Sequence, residues 1–394
     1  MVKNNLHEKI TLYLSLLILS NYLFLNLSFP ILIIKINFIL FLILVVFFYF
    51  KNLNENIYLK IFFLLIILIS LGTPTYEWDA RSIWLFHGKR IFYDESIFSF
   101  ADNYASFSHN GYPNLAPAFS SSLAMLVGYW NEIFPKISFT FLFLPPLVFT
   151  YSFFKDDKYL IFLSIVFFII GKYLFNGWTD GLIAIYFCLS AFLMYLLFIK
   201  NEKYFKNNFL YYLIAFCFFS SLALIKNEGT ALLLILFTVT LLIKIYKKDL
   251  KKDISKLIVL SFSFLPIIFW KFFCYTNGIE NDYINNDLLT NLLPRIGEFS
   301  NYKLIGYFLL LNEKFIISLI FFSFSFWLKR NKELFNFILF ISLIYITVLF
   351  FIFLSTPVDF YFQLNSAAAR IVKTLSFSLA FFGLYNLCNY KIKY

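Results

Sequence analysis

The stretch GLIAIYFCLSAFLMYLLFI, residues 181–199, holds neither a charged side chain nor a proline and runs straight into the polar segment Lys200-Asn201-Glu202-Lys203. A helix of that length, rising ~1.5 Å per residue, crosses a hydrocarbon layer ~30 Å thick. Apolar runs of the same kind recur at roughly 10–29, 31–50, 57–72, 137–154, 159–175, 209–225, 230–246, 257–273, 304–328, 334–355 and 371–388. Their continuity excludes an outer-membrane barrel, whose strands alternate apolar and polar residues over about ten positions. With 61% hydrophobic and 14% charged residues, against about 45–50% and about 25% in soluble domains, the chain is no soluble globular protein either. The sequence predicts an all-α polytopic membrane protein with about twelve transmembrane helices.

The net charge of +11 comes mostly from lysines in short segments between the runs. There they act as topology signals rather than as a surface for nucleic acid. The most basic segment, Lys244 to Lys256, is expected on the cytoplasmic side. Alternation then groups Lys155, Lys158, Lys200, Lys203, Lys206, Lys329, Arg330, Lys332 and both termini with it. No small-residue cleavage site follows the first run, so residues 1–56 read as an uncleaved N-terminal helical hairpin. Residues 57–388 form the core of a single membrane domain covering 1–394, with no separate soluble domain. Cys188 and Cys217 fall inside spans, Cys388 near the cytoplasmic end and Cys274 in an outer loop, which implies no disulfide and no cysteine-based zinc site.

The same parity requires that Ala116 to Trp130 not cross. That run holds Pro117, three consecutive serines (Ser120 to Ser122) and Gly128, and suits a helix lying at the interface or re-entering from one side. Residues 73–136 thereby become one large outer loop carrying interfacial helices, and Arg81, Arg90, Arg295 and Arg370 all fall outside. The run 304–328 is interrupted by Asn312-Glu313-Lys314, which also fits a surface helix followed by a short span.

Chemistry-bearing residues collect in the outer segments. Thr73 to Trp84 includes Glu77, Trp78, Asp79 and Arg81, and from Ala80 the positions 80, 83, 84, 87 and 91 form one helical face. A carboxylate held there can serve as general base toward a hydroxyl, and an arginine can pair with a phosphate; an amphipathic loop helix with solvated charges explains the pattern too. His109 and Tyr112 precede Pro113 and Pro117; His109 could donate to a phosphate or shuttle a proton, but a lone histidine in a polar loop is more often a surface residue. In Asn176-Gly177-Trp178-Thr179-Asp180-Gly181 the acid is either functional or a helix cap. Lys226-Asn227-Glu228-Gly229 offers a phosphate-binding cation, an ion pair or a snorkelling turn. Arg370 stands at the outer start of the last run, against both the positive-inside bias and the helix dipole, after small residues Ser366 to Ala369 that allow close approach. Glu77 and Asp79 could together hold a divalent cation, though two carboxylates are thin support for a metal. No GxxxxGK[ST] or GxGxxG occurs, so no nucleotide-cradling loop is expected.

Taken in order, Glu77-Trp78-Asp79-Ala80, Tyr112-Pro113 with Pro117, Gly177-Trp178-Thr179-Asp180-Gly181, Lys226 to Gly229 and Thr356 to Arg370 resemble the membrane-embedded GT-C glycosyltransferases, including protein O-mannosyltransferase and aminoarabinose transferase-like bacterial members. The resemblance covers most of the chain from Leu71 to Arg370 and rests on the order of short motifs. It implies a GT-C-like helical bundle that moves a sugar, with inversion, from a polyprenyl-phosphate donor to an extracytoplasmic glycan, lipid or protein acceptor. Asp79 would be the catalytic base, with Glu77 and Asp180 as supporting acids. Arg370, Lys226 and Arg81 would hold the donor phosphate, and Trp78, His109, Tyr112 and Glu228 would position the acceptor or the loop. Gln363 stands where related segments often carry histidine, and more than the usual single span precedes the first outer loop.

The location implied is the bacterial cytoplasmic membrane with the site on its outer face, and heavy use of Lys, Asn, Ile and Phe fits an AT-rich genome. Two other readings remain at this level. A polysaccharide polymerase or ligase using diphosphate-linked donors would draw on Arg295. A transporter or flippase would need ionisable groups at the bilayer midplane, where only Lys35 and the Glu313/Lys314 pair approach a span interior.

Overall fold

The computed structural model describes residues 5–51, 56–97, 108–200, 202–206, 208–279 and 288–388, and every regular element among them is helical. The first group is α1 (Leu6–Asn26), α2 (Ile31–Phe50), α3 (Ile57–Gly72), α4 (Leu85–Asp94), α5 (Leu115–Val127), α6 (Ile137–Leu142), α7 (Leu144–Tyr151) and α8 (Asp157–Ile169). After a 3-10 turn (Gly171–Leu174) come α9 (Asp180–Met194), α10 (Lys203–Lys206), α11 (Phe209–Ile225), α12 (Asn227–Tyr246), α13 (Leu250–Ser261) and α14 (Leu265–Thr276). The last group is α15 (Leu288–Ile296), α16 (Phe299–Leu310), α17 (Glu313–Leu328), α18 (Lys332–Ser355) and α19 (Phe360–Cys388). Parts of the expected outer segments, residues 98–107 and 280–287, lie outside the described residues, as do both chain ends.

Among the described residues seven helices are long and apolar enough to cross a membrane: α1, α2, α9 with its π-helical extension to Ile199, α12, α13 joined to α14, α18 and α19. The pair α16 and α17, bent by 71°, makes an eighth if it is one span. The bend falls at the polar interruption seen in the sequence, where the Asn312 carboxamide oxygen accepts from the Lys314 and Phe315 amides and restarts the helix. The protein is a helical, multi-pass membrane protein.

The centre of the bundle is α9, wholly buried from Asp180 to Ile199, with α11, α12 and α19 packed around it. Phe192 sits edge-on to Phe381, Phe382 and Tyr385 of α19, so aromatic packing locks the two central helices side by side. At one end of these helices Lys200 donates to the Tyr385 hydroxyl, Asn331 to the Tyr195 hydroxyl, and Lys247 pairs with Glu333. The lysine segments that alternation groups together therefore share one end. Asp79, Asp180, Lys226 and Arg370 share the other.

Several expectations are corrected. The basic stretch Lys244 to Lys256 is largely helical: Lys244 belongs to α12, α13 begins at Leu250, and a buried Lys244–Asp253 pair at 2.5 Å closes the turn. Cys274 lies buried inside α14 rather than in a loop, because no breaker appears before Gly278, whose φ is +63°. α19 starts ten residues before Arg370, where the Asp359 carboxylate accepts from the Phe362 amide, so Arg370 is interior to the helix and no longer opposes its dipole. α5 does not lie on a surface. It is buried from Leu115 to Met125, between α4 on one side and α1, α2, α6 and α11 on the others, its alanines and serines allowing that approach.

The junction of α11 and α12 is tight at Gly229. A Cβ there would meet the Leu222 carbonyl oxygen at 1.9 Å. Gly229→Ala is expected to lower stability by about 2–3 kcal/mol by overpacking against backbone; an unchanged melting temperature in detergent would mean that the junction yields.

Candidate functional site

The site is assembled where chain segments return to one end of the bundle. Lys136, fully buried, donates to the Thr73 carbonyl at 2.5 Å and to its hydroxyl at 3.2 Å, tying the two ends of the 73–136 segment together. With only these neutral partners, burial pulls its pKa down to about 8. A helix then begins at Trp78 and passes through a π-helical turn, Ala80–Trp84, into α4. Ala80, Ile83, Trp84, His87 and Ile91 are all buried, the face that the spacing predicts. Trp84 stacks on Tyr112 at 5.6 Å, and His109 stacks on Tyr112 at 4.9 Å.

Five side chains from four parts of the chain form a ladder of alternating charge. Asp79 Oδ2 meets Arg370 Nη1 at 2.5 Å, and the same nitrogen lies 3.8 Å from Asp180 Oδ2. Asp180 Oδ1 lies 3.5 Å from Lys226 Nζ, which meets Glu228 Oε1 at 2.8 Å. Arg370 also stands over the Trp178 ring at 4.8 Å, and Lys226 over the Tyr112 ring at 5.8 Å. Burial opposes the charge on Lys226, but Glu228 and Asp180 outweigh it and hold the ammonium above its ordinary range. Asp180 does not cap its helix: Thr179 occupies the cap position without a side-chain hydrogen bond, and Asp180 accepts from Lys226.

The ladder borders a cavity of about 830 Å³. Its polar end is lined by Asp79, His109, Tyr112, Lys226, Glu228 and Arg370, with Trp78 and Gln363 beside them. Its other walls are apolar: Leu232 and Ile235 of α12, then Tyr345, Val348, Leu349 and Ile352 of α18. A molecule with an anionic or hydroxylated head and a hydrocarbon tail matches that division.

Two expected residues are placed elsewhere. Arg81 pairs at 3.6 Å with Glu132, both more than half exposed, and does not line the cavity. Glu77 pairs with Lys172 at 2.6 Å, away from the Asp79–Arg370 contact, so the two carboxylates engage different cations instead of a shared one. Arg295 donates to the Leu354 and Thr356 carbonyls at the end of α18. Among the described residues no three His, Cys, Asp or Glu side chains converge to hold a metal.

Lys271 was hidden from sequence reasoning inside an apolar run. Its Nζ donates to the Gly111 carbonyl at 2.9 Å and to Asn227 Oδ1 at 2.7 Å, and Trp270 Nε1 donates to the same carbonyl at 3.3 Å. α14 thus pins the loop that carries Tyr112 to the turn that carries Lys226. Lysine inside an otherwise apolar helix was the signal available.

His87 fastens the same loop from below. Its Nε2 lies 2.8 Å from the Ser108 carbonyl, so that nitrogen carries hydrogen and donates. Burial pushes the imidazole pKa down from 6.5 to about 4. Because the folded value lies below the unfolded one, the unfolded chain takes up the proton first. Stability is complete above pH 6.5 and falls toward pH 4, by about 3 kcal/mol in all. His87→Gln is expected to flatten thermal stability between those limits; an identical acid dependence in the variant would remove His87 as its source.

No protein-family model, curated protein or solved structure matches the chain, so its function is argued from the chemistry of this cavity.

Proposed function

We propose that the protein is a glycosyltransferase of GT-C type that takes a sugar from a polyprenyl-phosphate donor and places it, with inversion, on an acceptor hydroxyl. The observation that carries this reading is the union, in one cavity of about 830 Å³, of a carboxylate–cation ladder with an apolar channel between α12 and α18. A lipid donor needs hydrocarbon walls, its departing phosphate needs cations, and the acceptor hydroxyl needs a base.

The chain's own residues supply each part. Asp79 takes the acceptor proton as the acceptor oxygen attacks C1 of the sugar, and the bond from C1 to the phosphate oxygen breaks. Arg370 and Lys226 receive the negative charge that grows on the departing polyprenyl phosphate. In the ladder Arg370 is engaged by Asp79 at 2.5 Å. Donor phosphate entering beside Arg370 draws the guanidinium toward itself and frees the Asp79 carboxylate, so the base is released only when donor is bound. Asp180 keeps both cations in place from the far side.

The membrane arrangement follows. In this reading the seven long helices and the bent α16–α17 pair are joined as crossings by the shorter α3, α6 with α7, α8 and α11, about twelve in all. α5 inserts without crossing, and the ladder faces the outer side of a bacterial cytoplasmic membrane.

The test is release of free polyprenyl phosphate from a panel of polyprenyl-phosphate sugars by the protein in lipid nanodiscs. Wild type is expected to release it and Asp79→Asn to fall roughly a hundredfold or more, while remaining folded. Equal release by the variant would remove Asp79 as base. Release of diphosphate lipid instead, or movement of lipid across the bilayer without any glycosyl product, would replace this reaction by polymerisation or transport.

A further inference from the structure

One helical turn along α19 from the ladder, around the Lys172–Tyr173 turn, a second set of cations gathers. The helix α8 ends at Ile169, and Gly171, with φ +56° and no atom within 4 Å of where a Cβ would stand, turns the chain into the 3-10 turn that carries Lys172 and Tyr173. Lys314, in the first turn of α17, donates from Nζ to the Ile169 carbonyl at 3.2 Å and lies 5.6 Å from the Phe168 ring. Lys373 of α19 places its Nζ 3.8 Å from the centre of the Tyr173 ring. Lys172, paired with Glu77, stands over Trp178 at 5.3 Å.

A lysine at the end of a span ordinarily extends its stem toward water. Lys314 and Lys373 do the opposite: both are partly buried and turn toward the same turn of chain, and Lys373 lies within electrostatic reach of the Asp180 carboxylate on one side and of Lys314, Lys172 and Arg370 on the others. Neither has a carboxylate within ion-pair distance among the described residues. Converging cations at membrane level repel unless an anion lies between them. The surroundings define what carries that anion. α8 and α17 both pack on α19, and each carries exposed apolar side chains: Phe167 and Phe168 on α8, Ile317 and Ile320 on α17, between 48% and 63% exposed.

We infer that the surface of α8 and α17 binds an anionic phospholipid, its phosphate held by Lys314 and Lys373 with Lys172 beside them and its acyl chains laid along the exposed apolar side chains of the two helices. The site is separate from the cavity of the proposed reaction and does not depend on that reaction being correct.

Native mass spectrometry of the full-length protein titrated with phosphatidylglycerol, phosphatidylcholine and inorganic phosphate tests the assignment. Wild type is expected to retain phosphatidylglycerol in preference to phosphatidylcholine, and the Lys314→Gln/Lys373→Gln double variant to lose roughly thirtyfold of that preference. Lys373→Arg, which keeps the charge, should retain it, and so should Asp79→Asn, whatever happens to transfer. Equal retention of the two lipids by wild type, or an undiminished preference in the double variant, overturns the site; a preference reproduced by inorganic phosphate alone overturns the lipid assignment. Photoactivatable phosphatidylglycerol on the wild-type protein answers without any variant: crosslinks at Phe168 and Ile317 are expected, and crosslinks confined to other helices overturn the site.

Discussion

Arg370 between two carboxylates is the contact on which the rest of the arrangement depends. A guanidinium ten residues inside a long apolar helix has no stable place in hydrocarbon without partners. Its partners come from chain segments far apart in sequence: Asp79 from the helix after α3 and Asp180 from the start of α9. Asp180 in turn needs Lys226 from the α11–α12 junction. Satisfying one buried charge therefore brings four parts of the chain to one end of the bundle. Removing any single partner would leave its neighbour uncompensated, which is why such ladders impose arrangement more than they add stability.

The charge count at this end has a chemical consequence. Asp79, Asp180 and Glu228 outnumber Arg370 and Lys226 among the ladder's members. An anionic ligand cannot simply add to such a site. It must compete with a carboxylate for a cation, and the carboxylates at the two ends of the ladder both line the cavity, Asp79 held by Arg370 and Glu228 by Lys226. In the proposed reaction, competition for Arg370 is what couples arrival of the donor phosphate to exposure of Asp79. Around this core the loop is clamped from several sides, by Lys136 to Thr73, by His87 to Ser108 and by Lys271 to Gly111, so the polar end of the cavity rests on fixed backbone.

Much of this was legible in the sequence, for definable reasons. Apolar continuity marks helices that lipid and neighbouring helices both accept, and the buried face at 80, 83, 84, 87 and 91 follows from the period of 3.6. Asp79, Asp180, Lys226, Glu228 and Arg370 stood out because ionisable groups at span ends need a reason to be there. What could not be read was pairing. Arg81 and Arg370 look alike as outer arginines, yet one meets Glu132 in solvent and the other is enclosed by two aspartates. Helix limits were hidden where charged residues are helical, as at Lys251 to Lys256. Burial of α5 depends on small residues meeting α4 and α2 across the fold, which no local pattern states.

α19 is the partition that organises both polar regions. Arg370 and Lys373 are three residues apart, about 60° around the helix, and that small rotation sends one side chain toward Asp79 and the cavity and the other toward Tyr173 and the turn after α8. Trp178 and Tyr173, in contact at 5.1 Å, stand between them, with Arg370 on the one ring and Lys373 on the other. The aromatic pair supplies electron-rich faces to both cations at a place where water is scarce, and keeps their mutual repulsion tolerable. A single helical turn can therefore present positive charge to two sides of the bundle because the segment from Lys172 to Asp180 folds back between them.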